Sequence, residues 1–263
     1  MKVQEVINYL HTIAPNNYQE DYDNSGLLVG DYDAEVKGAL VSLDMTEAVL
    51  DEAISKGCNL VVSHHPIIFS GLKRLTGANY IQRVVQKAIK NDLNLFAIHT
   101  NLDNVYEHGV NTNIGQIIGL KEMEILRPKV GLAEGEAIGS GIIGQVESQA
   151  EMDFLKDLKE KMAINCIKYT ALRGKKVEKV AICGGSGRFL LNDAIRQGAD
   201  IFISSDFKYH EYFDADANIV IADIGHFESE QFTTKMLWEI LTNKFSNFAS
   251  HYTKVNTNPV NYL

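Results

Sequence analysis

The sequence predicts an α/β protein of two lobes with largely parallel sheets, and three observations carry the prediction. Short β-branched runs alternate with amphipathic segments of roughly ten to fifteen residues, the pattern of successive βαβ units. A glycine-rich stretch after residue 120 interrupts the alternation, which then resumes. A chain of 263 residues, 45% hydrophobic, fits one large domain or two small ones. It buries roughly 70–75% of its unfolded surface, so its core needs no disulfide or metal.

The elements follow in order. Residues 2–14 read as a helix with Val3, Val6, Ile7 and Leu10 on one face. Residues 38–43 form a strand, and a helix from Thr46 to Ser55 ends near Gly57. The strand 59–63 comes next, then a helix over 80–91 with Ile81, Val84, Val85, Ala88 and Ile89 inward, then a strand over 93–98. Residues 131–146 are weakly β, and 151–163 form a charged helix. A strand over 177–183, a helix over 189–197, strands at 200–204 and 219–222, and a helix from Glu228 to Asn243 complete the series. The change-over falls between 121 and 130, and the chain returns to the first lobe near its end. The expected lobes are therefore 1–124 with 225–263, and 125–224.

Composition narrows the function classes. Cys58, Cys166 and Cys183 are widely spaced with no CxxC pair, which fits a reduced cytoplasmic protein and excludes a structural zinc knuckle. Met1–Val6 lacks the apolar core of a signal peptide, and no apolar run approaches the roughly 20 residues of a membrane span. A net charge of −9 argues against a grip on the phosphate backbone of nucleic acid. Twenty glycines against four prolines indicate tight turns rather than linkers, and no internal repeat is visible.

Metal-ligating residue types gather at the carboxyl ends of the expected strands: Ser63-His64-His65, His99 to Asp103, Ser205-Asp206, and Asp223 to His226. Ligands of open α/β sheets bind at that edge, and imidazole with carboxylate suits zinc, iron or manganese. Within a strand the adjacent His64 and His65 would point to opposite faces; Pro66 biases His65 to a turn, so each ring is free to serve a different ion. A single buried histidine is most often a hydrogen-bonded core residue, whereas two in succession after an apolar strand shift the balance toward ligands. His226 and Glu230 lie four apart on one helical face, as a ligand pair would, although acids at a helix N-terminus also suit the macrodipole. Asp103 reads as a bridging carboxylate or a turn cap, and His99 as a general base or a partner behind the ligands.

Five segments together resemble the Nif-three-like family, often labelled GTP cyclohydrolase 1 type 2 homologues. They are Asp23-Asn24-Ser25-Gly26 through Gly30, Ser63-His64-His65-Pro66, His99-Thr100-Asn101-Leu102-Asp103, Cys183-Gly184-Gly185-Ser186-Gly187, and Gly225-His226-Phe227-Glu228-Ser229-Glu230. The order is the family's and the segments span nearly the whole chain. The resemblance implies a site for two divalent ions held by His64, His65, Asp103, His226 and Glu230, three-layer α/β/α lobes, and a toroidal homohexamer. It also implies that the domain some members carry in the middle is absent from this chain, near 125–140.

Three further segments keep two readings each. Asp23 to Gly26 supplies polar groups to the cleft or is an Asx turn; Gly184 to Gly187 cradles a phosphate or is a tight turn lacking a P-loop lysine. Lys208 and His210, after Asp206, contact an anionic substrate or line the surface, and His11, His108 and His251 read as surface residues. The expected function is a metal-dependent hydrolase acting on a nucleotide-like small molecule, by cyclohydrolase or phosphoester chemistry, with His99 as proton shuttle. The alternative is a non-catalytic metal-binding protein, metallochaperone or scaffold. A ring encircling nucleic acid is a third reading, opposed by the acidic balance.

Overall fold

The computed structural model describes residues 1–129 and 137–263, and among these the strands form two sheets. The first run of elements is helix α1 (Val3–Ile13), strands β1 (Gly26–Val29) and β2 (Gly38–Ser42), helix α2 (Glu47–Ser55), strand β3 (Leu60–Ser63), helix α3 (Tyr80–Lys90) and strand β4 (Asn94–Ala97). The middle run is α4 (Thr100–Asp103), α5 (Val110–Ile118), β5 (Lys121–Pro128), β6 (Gly139–Ala150), α6 (Glu151–Lys161), β7 (Lys168–Tyr169) and β8 (Lys176–Ser186). The last is α7 (Leu191–Arg196), β9 (Ile201–Ser205), β10 (Val220–Asp223), α8 (His226–Glu230), α9 (Thr233–Lys244) and β11 (Ala249–Tyr252).

Two compact units result: Met1–Leu102 with Thr233–Pro259, and Asp103–Phe232 with Val260–Leu263. Residues 103–124, 225–232 and 260–263, expected in the first lobe, therefore pack in the second. The reason is local: Gly184 in β8 sits where a side chain would press on Val110 and Ile114 of α5, and Gly185 lies against Glu230 of α8.

The first unit's sheet has the order β1-β4-β3-β2-β11. β11, β2, β3 and β4 run parallel, and β1 closes the edge antiparallel to β4. Of these, β2, β3 and β4 are buried on both faces, which is why they read as continuous apolar runs. Leu40, Val61 and Leu95 face Val49, Leu50 and Ala53 of α2 and Val84 and Ala88 of α3. On the opposite face the His11 ring of α1 lies 5.7 Å from Phe96. The Trp238 indole of α9 donates to the Ser250 carbonyl of β11 at 3.0 Å.

Three local expectations are corrected here. Ile89 is exposed, because the buried stripe of α3 is the narrower Val84, Val85 and Ala88. The helix expected over 228–243 is two helices, α8 and α9. His11 is half-buried rather than a surface residue, and its Nε2 has no hydrogen-bond partner among the described residues.

The second unit's sheet has the order β5-β6-β8-β9-β10-β7 and is mixed rather than largely parallel. β5, β6 and β8 form an antiparallel ladder, β8, β9 and β10 are parallel, and β7 pairs antiparallel with β10. Parallel neighbours need a crossover, which the direct β5–β6 connection does not provide. Of the weakly β stretch expected over 131–146, residues 139–146 lie in β6 and 131–136 lie outside the described residues. One face packs Ile143, Ala181, Phe202 and Ile221 against Leu191 and Ala194 of α7. The other receives α5, where Gly115 admits Ile142 to the helix backbone. Helices thus cover both faces of each sheet.

Behind the second sheet Arg173 forms a buried clamp. Its guanidinium meets Glu151 at 3.3 Å and Asp200 at 2.7 Å and donates to the Asn218 carbonyl at 2.7 Å. Glu151 is 3% exposed, so removing the cation strands a carboxylate in the interior. Arg173→Ala is expected to cost about 3–5 kcal/mol in urea unfolding, and a loss under about 1 kcal/mol, the scale of an exposed pair, would contradict the clamp.

His11 supplies a pH test, because burial lowers its pKa from the ordinary 6.5. The folded state then binds fewer protons than the unfolded state just below pH 6.5, so His11's contribution is full above that value and declines as pH falls through it. Lowering the pH from 7.5 to 5 is expected to lower the melting temperature of wild type relative to that of His11→Phe; a difference that is the same at both pH values would refute the assignment.

Candidate metal centre

In the first unit the donors leave the carboxyl edge of neighbouring parallel strands. Beyond β3 the His65 amide still donates to the Leu43 carbonyl at 2.9 Å, and the Ser63 hydroxyl donates to the His65 carbonyl at 2.6 Å. The chain therefore turns tightly, and the His64 and His65 rings end 5.0 Å apart with their planes 47° apart. His99, just past β4, lies 5.2 Å from the His64 ring and 5.4 Å from the His65 ring. One ligand atom from each of the three lies within 4.8 Å of the others.

Hydrogen bonds fix which nitrogen each ring offers. His64 Nδ1 lies 3.0 Å from the Ile98 carbonyl, which only accepts, so Nδ1 carries the proton and Nε2 the lone pair. His65 Nδ1 meets Asp44 Oδ1 at 2.8 Å, and the Thr257 hydroxyl holds the other Asp44 oxygen at 2.6 Å. His99 Nδ1 meets Asp23 Oδ1 at 2.7 Å. Acceptors on Nδ1 are the usual support of a metal-binding imidazole, since they set the tautomer and the ring plane.

Asp23 is the most heavily engaged of these carboxylates. It accepts from the Thr100 amide at 3.0 Å, the Thr100 hydroxyl at 2.5 Å, the Ser25 hydroxyl at 3.0 Å and the Asn24 amide at 2.7 Å. Burial pushes its carboxyl up. The bonds from His99, Thr100 and Asn24, with the charge of His99, outweigh burial and hold it well below the usual carboxylate range.

In the second unit β8, β9 and β10 end side by side. His226 opens α8, with Nε2 3.2 Å from Glu230 Oε2 one turn on and Nδ1 2.6 Å from Asp206 Oδ2. Asp206, just past β9, holds a left-handed backbone at φ +60° to make that contact. A separation of 3.2 Å suits two donors to one ion at roughly 2.0–2.2 Å each. Asp103 and Glu230 approach one thiol: burial first, then these two carboxylates, push Cys183 up.

The glycine motif takes the turn reading. The Gly184 amide is bound to Asn111 Oδ1, that of Gly185 to the Ser229 hydroxyl and that of Gly187 to the Ser204 hydroxyl, each at 2.9 Å. Those donors are therefore committed within the fold rather than left for a phosphate. Gly185 instead makes room for Glu230 and His226, since at φ +60° a Cβ there would overlap Glu230 Oε1 and lie 3.3 Å from His226 Nε2. Asp223 is structural, bridging Lys168 at 2.8 Å and the Tyr212 hydroxyl at 2.9 Å. Lys208 and His210 are exposed, the latter packed against Tyr209 and Phe213. At the end of the chain Tyr262 hydrogen-bonds Glu228, and burial with that carboxylate pushes its phenol up to about 12.

The structure thus brings together His64, His65 and His99 in one unit, and His226 and Glu230 in the other, with Asp103 near the thiol that Glu230 also approaches. Sequence reasoning missed the orienting roles of Asp23, Asp44 and Asp206. Of these, Asp23 and Asp206 lay in segments already singled out, while no pattern flagged Asp44.

Comparison with known proteins gives concordant results. The family model for Duf34/NIF3 (NGG1p interacting factor 3) matches residues 1–259. A Clostridium acetobutylicum protein named GTP cyclohydrolase 1 type 2 homolog is 36% identical over 88% of this chain and 85% of its own length. A Campylobacter jejuni protein of the same name is 35% identical over 92% and 93%. The crystal structure of Staphylococcus aureus protein SA1388 superposes with a TM-score of 0.91 at 32% identity, covering 100% of this chain and 99% of that one. No helix among the described residues is long and apolar enough to cross a membrane.

Loss of an orienting carboxylate typically weakens metal binding about 10–100-fold. Asp206→Ala and Gly185→Ala are expected to weaken Zn2+ binding by that factor in chelator competition while the far-ultraviolet spectrum is unchanged. Wild-type affinity in both would show that neither residue supports a metal site.

Proposed function

The chain belongs to the Duf34/NIF3 family, and from that premise we propose that it is a metal-dependent hydrolase acting on a nucleotide-like small molecule. In this reading His64, His65, Asp103, His226 and Glu230 hold two divalent ions, zinc, iron or manganese. The fit rests on donor chemistry: His64, His65 and His226 each have Nδ1 engaged by an acceptor, so Nε2 is the ligating atom, and the carboxylates offset cationic charge. When bound, such ions supply a water that ionises near neutrality and positive charge for a developing oxyanion.

The observation that carries the catalytic reading is the Asp23–His99 pair beside His64 and His65. In this reading His99 is not one of the five ligands, so its ring, backed by the buried Asp23 carboxylate, is available as a proton acceptor. His99 donates Nδ1–H to Asp23, which leaves Nε2 to take a proton from an attacking water and return it to the leaving group. Asp23, ionised and ringed by donors, steadies the imidazolium formed in between. The name shared by the curated relatives supports a purine nucleotide, attacked at the imidazole C8 of the base. A phosphoester is compatible with the same groups. We also infer a toroidal homohexamer in the cytoplasm, which mass photometry of the purified protein tests.

One observation favours the non-catalytic alternative of a metal store, metallochaperone or scaffold: His99 lies within ligand reach of His64 and His65, so three imidazoles alone make a binding set. Asp23→Asn separates the readings. It is expected to retain bound metal while turnover across a panel of nucleotides and phosphoesters falls about 10²–10⁴-fold, the scale of general-base loss; His65→Ala and Glu230→Ala are expected to lose metal as well. Wild-type protein that holds two metals, turns over nothing in the panel and delivers its metal to an acceptor protein would establish the alternative.

A further inference from the structure

Phe69 is 54% exposed although it stands beside the histidine cluster, its ring 5.8 Å from that of His99 and edge-on at 84°. It opens the segment Phe69-Ser70-Gly71-Leu72-Lys73-Arg74, which is fastened at both roots. At the first, Pro66 and Ile67 are buried and the Asn24 amide donates to the Ile68 carbonyl at 2.6 Å. At the second, Gln86 donates to the Leu75 carbonyl at 2.8 Å, and Gln82 Oε1 accepts from the amides of Thr76 and Ala78 at 3.0 and 3.1 Å. Asn24 adjoins Asp23, so one short segment sets both the His99 ring and the root of this loop.

The loop also carries two cations, and exposed cations without an ion pair among the described residues occur elsewhere too, Lys90 of α3 among them. Lys73 and Arg74 are exposed and make no ion pair among the described residues. On the neighbouring helix, Arg83 pairs with Glu47 at 2.9 Å and Lys87 with Asp51 at 2.5 Å. In a chain of net charge −9, two uncompensated cations therefore follow, within five residues, an exposed aromatic ring at the candidate site. A flat apolar face with cations a few residues on is the complement of a planar heterocycle carrying phosphate.

We propose that Phe69–Arg74 is the substrate-recognition loop of the site and takes a nucleoside phosphate: the base packs on the Phe69 ring, and Lys73 and Arg74 bind the phosphates. This deepens the hydrolase reading by naming the residues that recognise the nucleotide and rests on it for the chemistry after binding. It assigns the phosphates to side chains rather than to Gly184–Gly187, whose amides are committed elsewhere.

The test is calorimetric binding of GTP and of tripolyphosphate to the full chain, with Zn2+ supplied and after EDTA treatment. Phe69→Ala is expected to weaken GTP about tenfold, the scale of one base–aromatic contact, and to leave tripolyphosphate within about twofold. Phe69→Trp restores GTP affinity, because the indole offers the same flat face. The double variant Lys73→Ala/Arg74→Ala weakens both ligands and flattens the salt dependence of GTP binding. Phe69-dependent binding of GTP, with no turnover of any nucleotide or phosphoester by the Zn2+-loaded protein, would support the loop while overturning the hydrolase reading. The proposal is overturned if Phe69→Ala and the double variant both bind GTP as wild type does, or if wild type binds no purine or pyrimidine triphosphate at millimolar concentration.

Discussion

An imidazole has one lone pair to give, and which nitrogen gives it depends on where the proton of the other is held. In this chain the Nδ1 atoms of His64, His65, His99 and His226 face, in turn, a backbone carbonyl, Asp44, Asp23 and Asp206. Four ring planes and four tautomers result from those contacts, and every chemical property of the candidate site depends on them. The acceptors lie far from their histidines in sequence, so only the fold can supply them.

Parallel strands are how it does so. In the first unit β2, β3 and β4 run side by side in one direction, so the residues just past each strand emerge on the same edge: Asp44 after β2, His64 and His65 after β3, His99 after β4. The second unit repeats the device within a sheet that is otherwise antiparallel. Its parallel trio β8, β9 and β10 releases Gly185, Asp206 and His226 together. Parallel pairing is retained in each unit at the strands whose ends carry the donors. Close approach has a conformational cost, visible in the left-handed backbone of Asp206, while Gly185 and Gly225 adopt positive φ as glycines readily do.

The parts legible in the sequence were those with a short-range signature. The helix over α1 and the buried strands β2, β3 and β4 announce themselves by periodicity, and His64-His65-Pro66 by chemistry at the end of an apolar run. The edge strands β1 and β11 were not legible: the apolar run of β1 is only Leu27-Leu28-Val29, and β11 has none. The mixed character of the second sheet was hidden because strand direction is a property of connections, not composition. Asp23, Asp44 and Asp206 are the instructive cases. A loop aspartate has many uses as a turn former, and nothing local says that its carboxylate will meet a ring 76, 21 or 20 residues away. The glycine motif misleads in the opposite sense, since its phosphate-binding look dissolves once each amide is traced to its partner.

The central claim is that the oriented imidazoles of His64, His65 and His226 ligate metal through Nε2 in a site for two ions. X-ray absorption at the metal K edge of the purified, metal-replete protein tests it directly. The expected spectrum has a nitrogen and oxygen shell at roughly 2.0–2.2 Å with the multiple-scattering signature of imidazole, and a metal–metal vector of roughly 3.5–4 Å. An oxygen-only shell without imidazole scattering would contradict it.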